Sequence, residues 1–199
     1  MLQAGGWRLV GRFGLAAFAL ALLLASVSAL AQNEVIGKIQ AKLDGQDMTW
    51  YVLRDAKTGQ PGAIWMSHDD ASRKAMISGY ESKDVGFSKD ANGLPSVRGE
   101  GSLIGLTFDF NANEGSVDYQ LPSVGADPVS ILFMPVLNDY QSILFLTEGH
   151  FSVSKITLDG VSGASFTGSF SGRLQTKAGE THELTDGHFD LSGGKQFQP

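Results

Sequence analysis

Cysteine is absent from the 199-residue chain, which excludes disulfide bonds and every reaction that needs a thiolate. Basic residues are also few, since 15 Lys and Arg stand against 21 Asp and Glu, giving a formal net charge of −6. Nucleic acids and anionic lipid surfaces select basic patches, so this balance argues against both as partners. The sequence also lacks a G-x-S-x-G nucleophile elbow, a P-loop and a dinucleotide fingerprint, and it implies no cofactor.

Only the N-terminus carries a long apolar run. Arg8 and Arg12 precede apolar residues from Phe13 to Val27, and Ala29-Leu30-Ala31 has the small-x-small pattern that signal peptidase cleaves. The run is shorter than the about 20 residues that a membrane-spanning helix needs. We therefore predict a cleaved signal peptide over residues 1–31, export to the periplasm or beyond in a bacterium, and no membrane span after cleavage. An uncleaved N-terminal anchor is the alternative.

The rest of the chain shows a period of two rather than a helical period. Between Gly163 and Thr176 the even positions are aromatic, aliphatic or glycine, and the odd positions are mostly hydroxyl-bearing. Successive side chains of a strand point to opposite faces, so this segment predicts a strand with one buried and one wet face. Gly168 and Gly172 lie on the buried face, where we expect aromatic rings to cover the bare backbone.

About ten such segments follow one another, separated by turn residues such as Asp44-Gly45. This pattern predicts an all-β fold: an antiparallel β-sandwich of jelly-roll type or a partly open barrel of about ten strands. We expect one domain over residues 32–192 and a frayed tail over 193–199. Breaks in the alternation predict bulges near Ser154-Lys155 and Asp186-Gly187.

The hairpin 129–147 differs from the other segments, because both of its strands are apolar on both faces. One interpretation is a central pair of strands that is covered on both sides. The other is an exposed apolar surface, including Phe133 and Phe145, that binds a protein partner or a lipid.

The cluster 182–190 is the densest group of polar side chains. His188 and Asp190 share one face of a predicted strand, and a bulge can bring His182 or Asp186 beside them. Imidazole and carboxylate groups are metal ligands, so His182, Asp186, His188 and Asp190 are candidate ligands. The alternative is the solvated face of a half-buried strand.

Aromatic side chains in the first half of the chain offer a second candidate site. Trp65 and Tyr80, with Trp50 or Tyr51, can form a flat platform on which sugar rings stack. Trp50 and Tyr51 point to opposite faces of a strand, so at most one of them belongs to it. Core packing is the competing interpretation.

Two motifs near the C-terminus are rich in glycine and phenylalanine. Their residues are Gly168, Phe170, Ser171, Gly172 and Leu174 in a G-x-F-S-G-x-L strand, then Thr185, Asp186, Gly187, Phe189 and Asp190 in a T-D-G-x-F-D segment. This ending resembles that of exported bacterial envelope proteins of uncharacterised function. The resemblance implies an exported all-β domain, and it implies neither a catalytic residue nor a substrate.

These observations favour an exported, non-catalytic binding or envelope-associated module, whose partner is an envelope protein, a glycan or a lipid. The first alternative is a lipid- or protein-binding protein that uses the hairpin 129–147. The second is a metal-binding protein or a hydrolase of an envelope polymer that uses the cluster 182–190.

Overall fold

The structure is a computed structural model that describes residues 32–67, 71–89, 95–111, 113–122, 128–159 and 163–196. The predicted signal peptide, residues 1–31, lies outside these residues. The described part of the chain is built from strands: β1 (Glu34–Leu43), β2 (Gln46–Arg54), β3 (Ala63–Ser67), β4 (Ser72–Tyr80), β5 (Gly86–Lys89), β6 (Pro95–Arg98), β7 (Leu103–Asn111), β8 (Val117–Leu121), β9 (Val129–Met134), β10 (Leu144–Asp159), β11 (Gly163–Thr176) and β12 (Thr181–Gln196). Among the described residues, no helix has the length and apolar character that crossing a membrane requires.

The strand pairings of the large sheet return to their starting point. The antiparallel pairs run β1–β2–β4–β7–β9–β10–β11–β12 and close through β12–β1. Strand β3 adds an antiparallel pair with β4 and a short parallel pair with the end of β12, and β8 pairs with β10. Strands β5 and β6 form a separate two-stranded sheet. The all-β, mainly antiparallel prediction is therefore confirmed.

The inner face of this ring of strands is filled by the hydrophobic core. Phe108 lies in an aromatic cluster, with ring centroids 5.3 Å from Phe151 and 5.4 Å from Phe166. Phe189 stacks on Phe151 at 5.7 Å. All four of these rings are almost fully buried, and burying a Phe side chain contributes about 1.5–3 kcal/mol. Strand alternation, which places every second side chain inside, thus supplies the core.

Gly168 lies where the alternation predicted it, directly beneath an aromatic ring. It pairs with Phe189 across β11 and β12, and an added Cβ would lie 2.5 Å from Cζ of that ring. The arrangement is repeated in reverse two positions on, where Phe170 of β11 covers Gly187 of β12. Gly172 differs from the expectation, because it packs against the backbone of β10 rather than under a ring.

Both predicted bulges are present. The β10–β11 register shifts between Val153 and Lys155. In β12 the stretch from Leu184 to Gly187 faces only Phe170 to Gly172 of β11, and Asp186 there adopts a positive φ of 53°. Such an extra residue restores the inward position of Phe189 after Leu184, which explains the parity change in the sequence.

The expected frayed tail is wrong for Gly193–Gln196, which continue β12. Lys195 and Gln196 pair in parallel with Ile64 and Trp65 of β3. The Arg54 guanidinium donates a hydrogen bond to the Gly193 carbonyl at 3.1 Å. Backbone pairing with β3 therefore keeps residues 195 and 196 in the strand. Residues 197–199 lie outside the described part of the chain.

Candidate binding surface

The outer face of the ring carries rows of polar side chains that run across the strands. Residues opposite one another in register occupy the same face of a sheet, about 4.8 Å apart from strand to strand. The longest row, here called the polar row, crosses β8, β10, β11, β12, β1 and β2 in the order Asp118, Ser152, Ser169, His188, Gln40 and Thr49. All of its members are exposed or half-buried. The wet face predicted for Gly163–Thr176 is thus one strand of a wider surface.

Hydrogen bonds connect neighbours within the polar row. His188 Nε2 lies 3.1 Å from Gln40 Oε1, and the Gln40 amide nitrogen donates to Thr49 Oγ1 at 3.4 Å. The hydroxyls of Ser152 and Ser169 share a hydrogen bond of 3.0 Å. These contacts hold the Gln40 amide between two neighbours and so fix its orientation.

A second row runs beside the first, two residues away on β1, β11 and β12 and three on β10, where the bulge adds a residue. Lys38 of β1 lies opposite Asp190 of β12, which lies opposite Thr167 of β11 and then Lys155 of β10. The Thr167 hydroxyl donates to Asp190 Oδ1 at 3.1 Å. The outer face therefore carries two neighbouring rows of hydroxyl, amide, imidazole and charged groups.

An open groove of about 520 Å³ lies where the two rows cross β1 and β12. Its polar lining comes from Lys38, Gln40, His188, Asp190 and Ser192. Val35 forms an apolar edge, because the register shift between Val35 and Gly37 reverses the alternation and turns Val35 outward, where it is 37% exposed.

The structure doesn't gather the predicted metal ligands into one group. His182 contacts Asp44, Asp186 contacts Lys42, His188 contacts Gln40, and Asp190 accepts from Thr167. Within the described residues, no three His, Cys, Asp or Glu side chains are arranged to hold a metal ion. The alternation in β12 places His188 and Asp190 on the outer face, whereas His182, before the bulge, lies opposite the buried Leu174. The bulge at Asp186 and the adjacent strands thus give each of the four side chains a different partner.

Two of those contacts perturb the titration of carboxylates. His182 Nδ1 lies 2.7 Å from Asp44 Oδ2, and the backbone N–H of Glu183 donates to Asp44 Oδ1 at 2.8 Å. These hydrogen bonds hold the pKa of Asp44 below its usual value. The 2.8 Å hydrogen bond from Lys42 likewise lowers the pKa of Asp186. Both contacts fasten the β1–β2 hairpin to β12.

The aromatic platform predicted from Trp65 and Tyr80 is not formed. Tyr80 is only 5% exposed, its ring lies 5.7 Å from Phe87 of the β5–β6 hairpin, and burial raises the pKa of Tyr80 to about 12. Trp65 is half-buried at the edge of the core, with the Arg73 guanidinium 5.9 Å from its ring centroid. Trp50 is fully buried in the core. Core packing thus accounts for Trp50 and Tyr80.

The two phenylalanines of the hairpin 129–147 lie in different environments, one in the core and one on the surface. Phe133 points inward, is 4% exposed and packs edge-on against Trp50 at 5.8 Å. Phe145 points outward and is 40% exposed, opposite the partly buried Leu132. Val136 and Tyr140, in the connection, are more exposed still. We call these exposed apolar residues of the hairpin, Phe145 with its neighbour Leu132 and the connection residues Val136 and Tyr140, the Phe145 patch.

Sequence reasoning missed Lys38, Gln40 and Thr49 as members of the candidate surface. Their signal was the alternation with Ile39, Ala41 and Trp50, which shows only that they face outward. Their position beside His188 depends on the pairing of β1 with β12, which lie at opposite ends of the chain.

Comparison of this chain with protein-family models, with curated proteins and with solved structures finds no match. The candidate surface is accordingly characterised by its own geometry, and the resemblance to exported envelope proteins stays a prediction.

Proposed function

We propose that the protein is an exported, non-catalytic binding module whose ligand-binding surface is the outer polar face of β8, β10, β11, β12, β1 and β2. The observation that carries this proposal is the polar row, which crosses these strands without an apolar interruption. The inner face of the same strands is occupied by the core, so a ligand has access only from outside. The ligand class that we propose is an extended envelope component rich in hydrogen-bonding groups.

The dimensions of the surface support an extended ligand. Five strand spacings of about 4.8 Å give the polar row a length of about 24 Å. A surface of this kind gains affinity from many weak contacts, since a single hydrogen bond contributes a net of about 0.5–1.5 kcal/mol. A polymer with repeated hydrogen-bonding groups can contact several members of the row at once, so it gains the most affinity from this arrangement.

The pairing of the histidines favours binding over catalysis. His150, His182 and His188 contact Asp118, Asp44 and Gln40 respectively. A general base acts from within hydrogen-bonding distance of a nucleophile or an attacking water. Here each of these three imidazoles is engaged with surface partners, and His188 also contacts the Asp186 carbonyl at 3.3 Å, which supports a role in presenting hydrogen bonds.

Retention of the purified protein on envelope material tests the proposal. The protein is incubated with the insoluble polymer fraction of a bacterial envelope, sedimented and quantified in the pellet. Ser169→Arg places a long side chain in the middle of the polar row and should abolish retention. Ser130→Arg is the matched control, because Ser130 is also an exposed strand serine but lies on β9. Equal retention of the two variants would contradict the proposal.

The Phe145 patch supports a second candidate function, binding of an apolar partner surface. Phe145, Val136 and Tyr140 are three of the five large apolar side chains that are exposed in the described part of the chain. Phe145→Ser should then lower retention on a detergent-free envelope membrane fraction, while Ser169→Arg leaves it unchanged. If Ser169→Arg lowers this retention and Phe145→Ser does not, binding is assigned to the polar face instead.

A further inference from the structure

We propose that the groove between β1 and β12 binds an uncharged, polyhydroxylated ring, which is the chemistry of a neutral saccharide unit. This inference rests on the proposed function and names the ligand class of its surface. The polar side chains that line the groove are Lys38, Gln40, His188, Asp190 and Ser192, and Val35 lies at its edge.

Charge within the groove favours a neutral occupant. Lys38 and Asp190, the charged residues of the lining, lie directly opposite each other in register. An anion approaching Lys38 meets the carboxylate of Asp190, and a cation approaching Asp190 meets the ammonium of Lys38. The whole chain has a formal net charge of −6, so the balance of one positive and one negative residue in the groove differs from the chain average.

The hydrogen-bonding groups of the lining match a group that both donates and accepts. Gln40 has one amide N–H engaged with Thr49 and its oxygen engaged with His188, which leaves one N–H and one lone pair. Asp190 uses Oδ1 for the Thr167 hydroxyl, which leaves Oδ2 as an acceptor. Hydroxyl groups satisfy both kinds of position, whereas a phosphate or carboxylate can only accept.

The shape and composition of the groove also fit a sugar ring. Val35, turned outward by the β1 bulge, offers an apolar edge on which the carbon-bound hydrogens of a ring can rest. The fixed orientation of Gln40 reduces the conformational entropy lost on binding. Since only a few exposed hydrogen bonds form, a single oligosaccharide should bind with a dissociation constant in the millimolar range.

Chemical-shift mapping of backbone amides tests this assignment. Purified, isotopically labelled protein is titrated with uncharged N-acetylglucosamine and glucose oligomers, and separately with a galacturonate oligomer and a glucosamine oligomer as anionic and cationic probes. We expect the neutral oligomers to shift the amides of residues 37–40 and 188–191. The charged oligomers should bind at least about tenfold more weakly, which corresponds to about 1.4 kcal/mol.

A pair of glutamine variants locates the contact. Gln40→Met removes the amide at nearly constant volume and should weaken binding of the neutral oligomer about fivefold, the effect of one lost hydrogen bond. Gln60→Met is the control, since Gln60 is exposed in the connection between β2 and β3, away from the proposed surface, and binding by this variant should be unchanged. Thermal unfolding of both variants verifies that the fold is retained.

The outcomes separate the two proposals. Shifts confined to other residues, stronger binding of a charged oligomer, or equal binding by the two variants would overturn the groove assignment. If retention on the envelope polymer nevertheless depends on Ser169, the proposed function stands and only the ligand class is wrong. If the wild-type protein is not retained at all, the proposed function itself fails.

Discussion

Phe170→Ala is the substitution that most directly tests the arrangement of β11 and β12. Phe170 is 2% exposed, covers the bare backbone of Gly187 and lies 6.4 Å from the stacked ring of Phe189. Removing the ring forfeits its transfer free energy, about 1.5–3 kcal/mol, and leaves a cavity above a residue with no side chain to fill it. The expected loss is about 3–5 kcal/mol in the free energy of unfolding.

Urea denaturation followed by tryptophan fluorescence measures this loss. Trp50 is a suitable reporter, because it is fully buried in the same core. Ser169→Ala, on the exposed side of the same strand, is the control and should change the free energy by less than about 0.5 kcal/mol. A loss for Phe170→Ala below about 1 kcal/mol would refute the reasoning, because it would place the ring outside the core.

Three further predictions follow from contacts described above. Gly187→Ala should destabilise the protein because the new Cβ collides with the Phe170 ring. In urea denaturation, the double variant Gly187→Ala/Phe170→Ala should lose less free energy of unfolding than the sum of the two single losses. Strict additivity of the losses would contradict the contact. The lowered pKa of Asp44 implies a contribution to stability that is present above the unfolded pKa of about 3.9 and is lost as the pH falls through the folded pKa. Asp44→Asn should therefore reduce the acid sensitivity of unfolding measured between about pH 6 and about pH 3, and an unchanged pH profile would argue against the His182 contact. Phe133→Ser should destabilise the protein by about 3 kcal/mol or more, whereas Phe145→Ser should cost less than about 1 kcal/mol in the same assay; similar losses would mean that both rings are buried.

The periodicity of the sequence was sufficient to predict which side chains face the core. In β11 the residues Phe166, Gly168 and Phe170 are buried, and the intervening residues are exposed or half-buried. The two bulges were also predictable, because a bulge changes the parity of the apolar residues around it. These features are local, so they are encoded within a few consecutive residues.

The candidate surface depended on information that is not local. Alternation places His188 on the outer face but doesn't say which residue lies beside it. Its neighbour Gln40 is on the first strand of the ring, and the pairing between the two is set by closure of the whole sheet. The misassignment of Tyr80 has a similar origin, because the β5–β6 hairpin packs over a ring that would otherwise face solvent.

Pairing of the first strand with the last has a consequence for biosynthesis. Gly37 pairs with Leu191, so β1 cannot acquire its second neighbour until β12 has been synthesised. During vectorial synthesis the hairpin β1–β2 can form early, whereas β10–β11 and the pairing of β12 with β1 must wait for the later part of the chain. The β1–β12 contact closes a long loop, and the entropy cost of that closure slows folding, so outward-facing backbone groups of β1 lack their partners until β12 arrives.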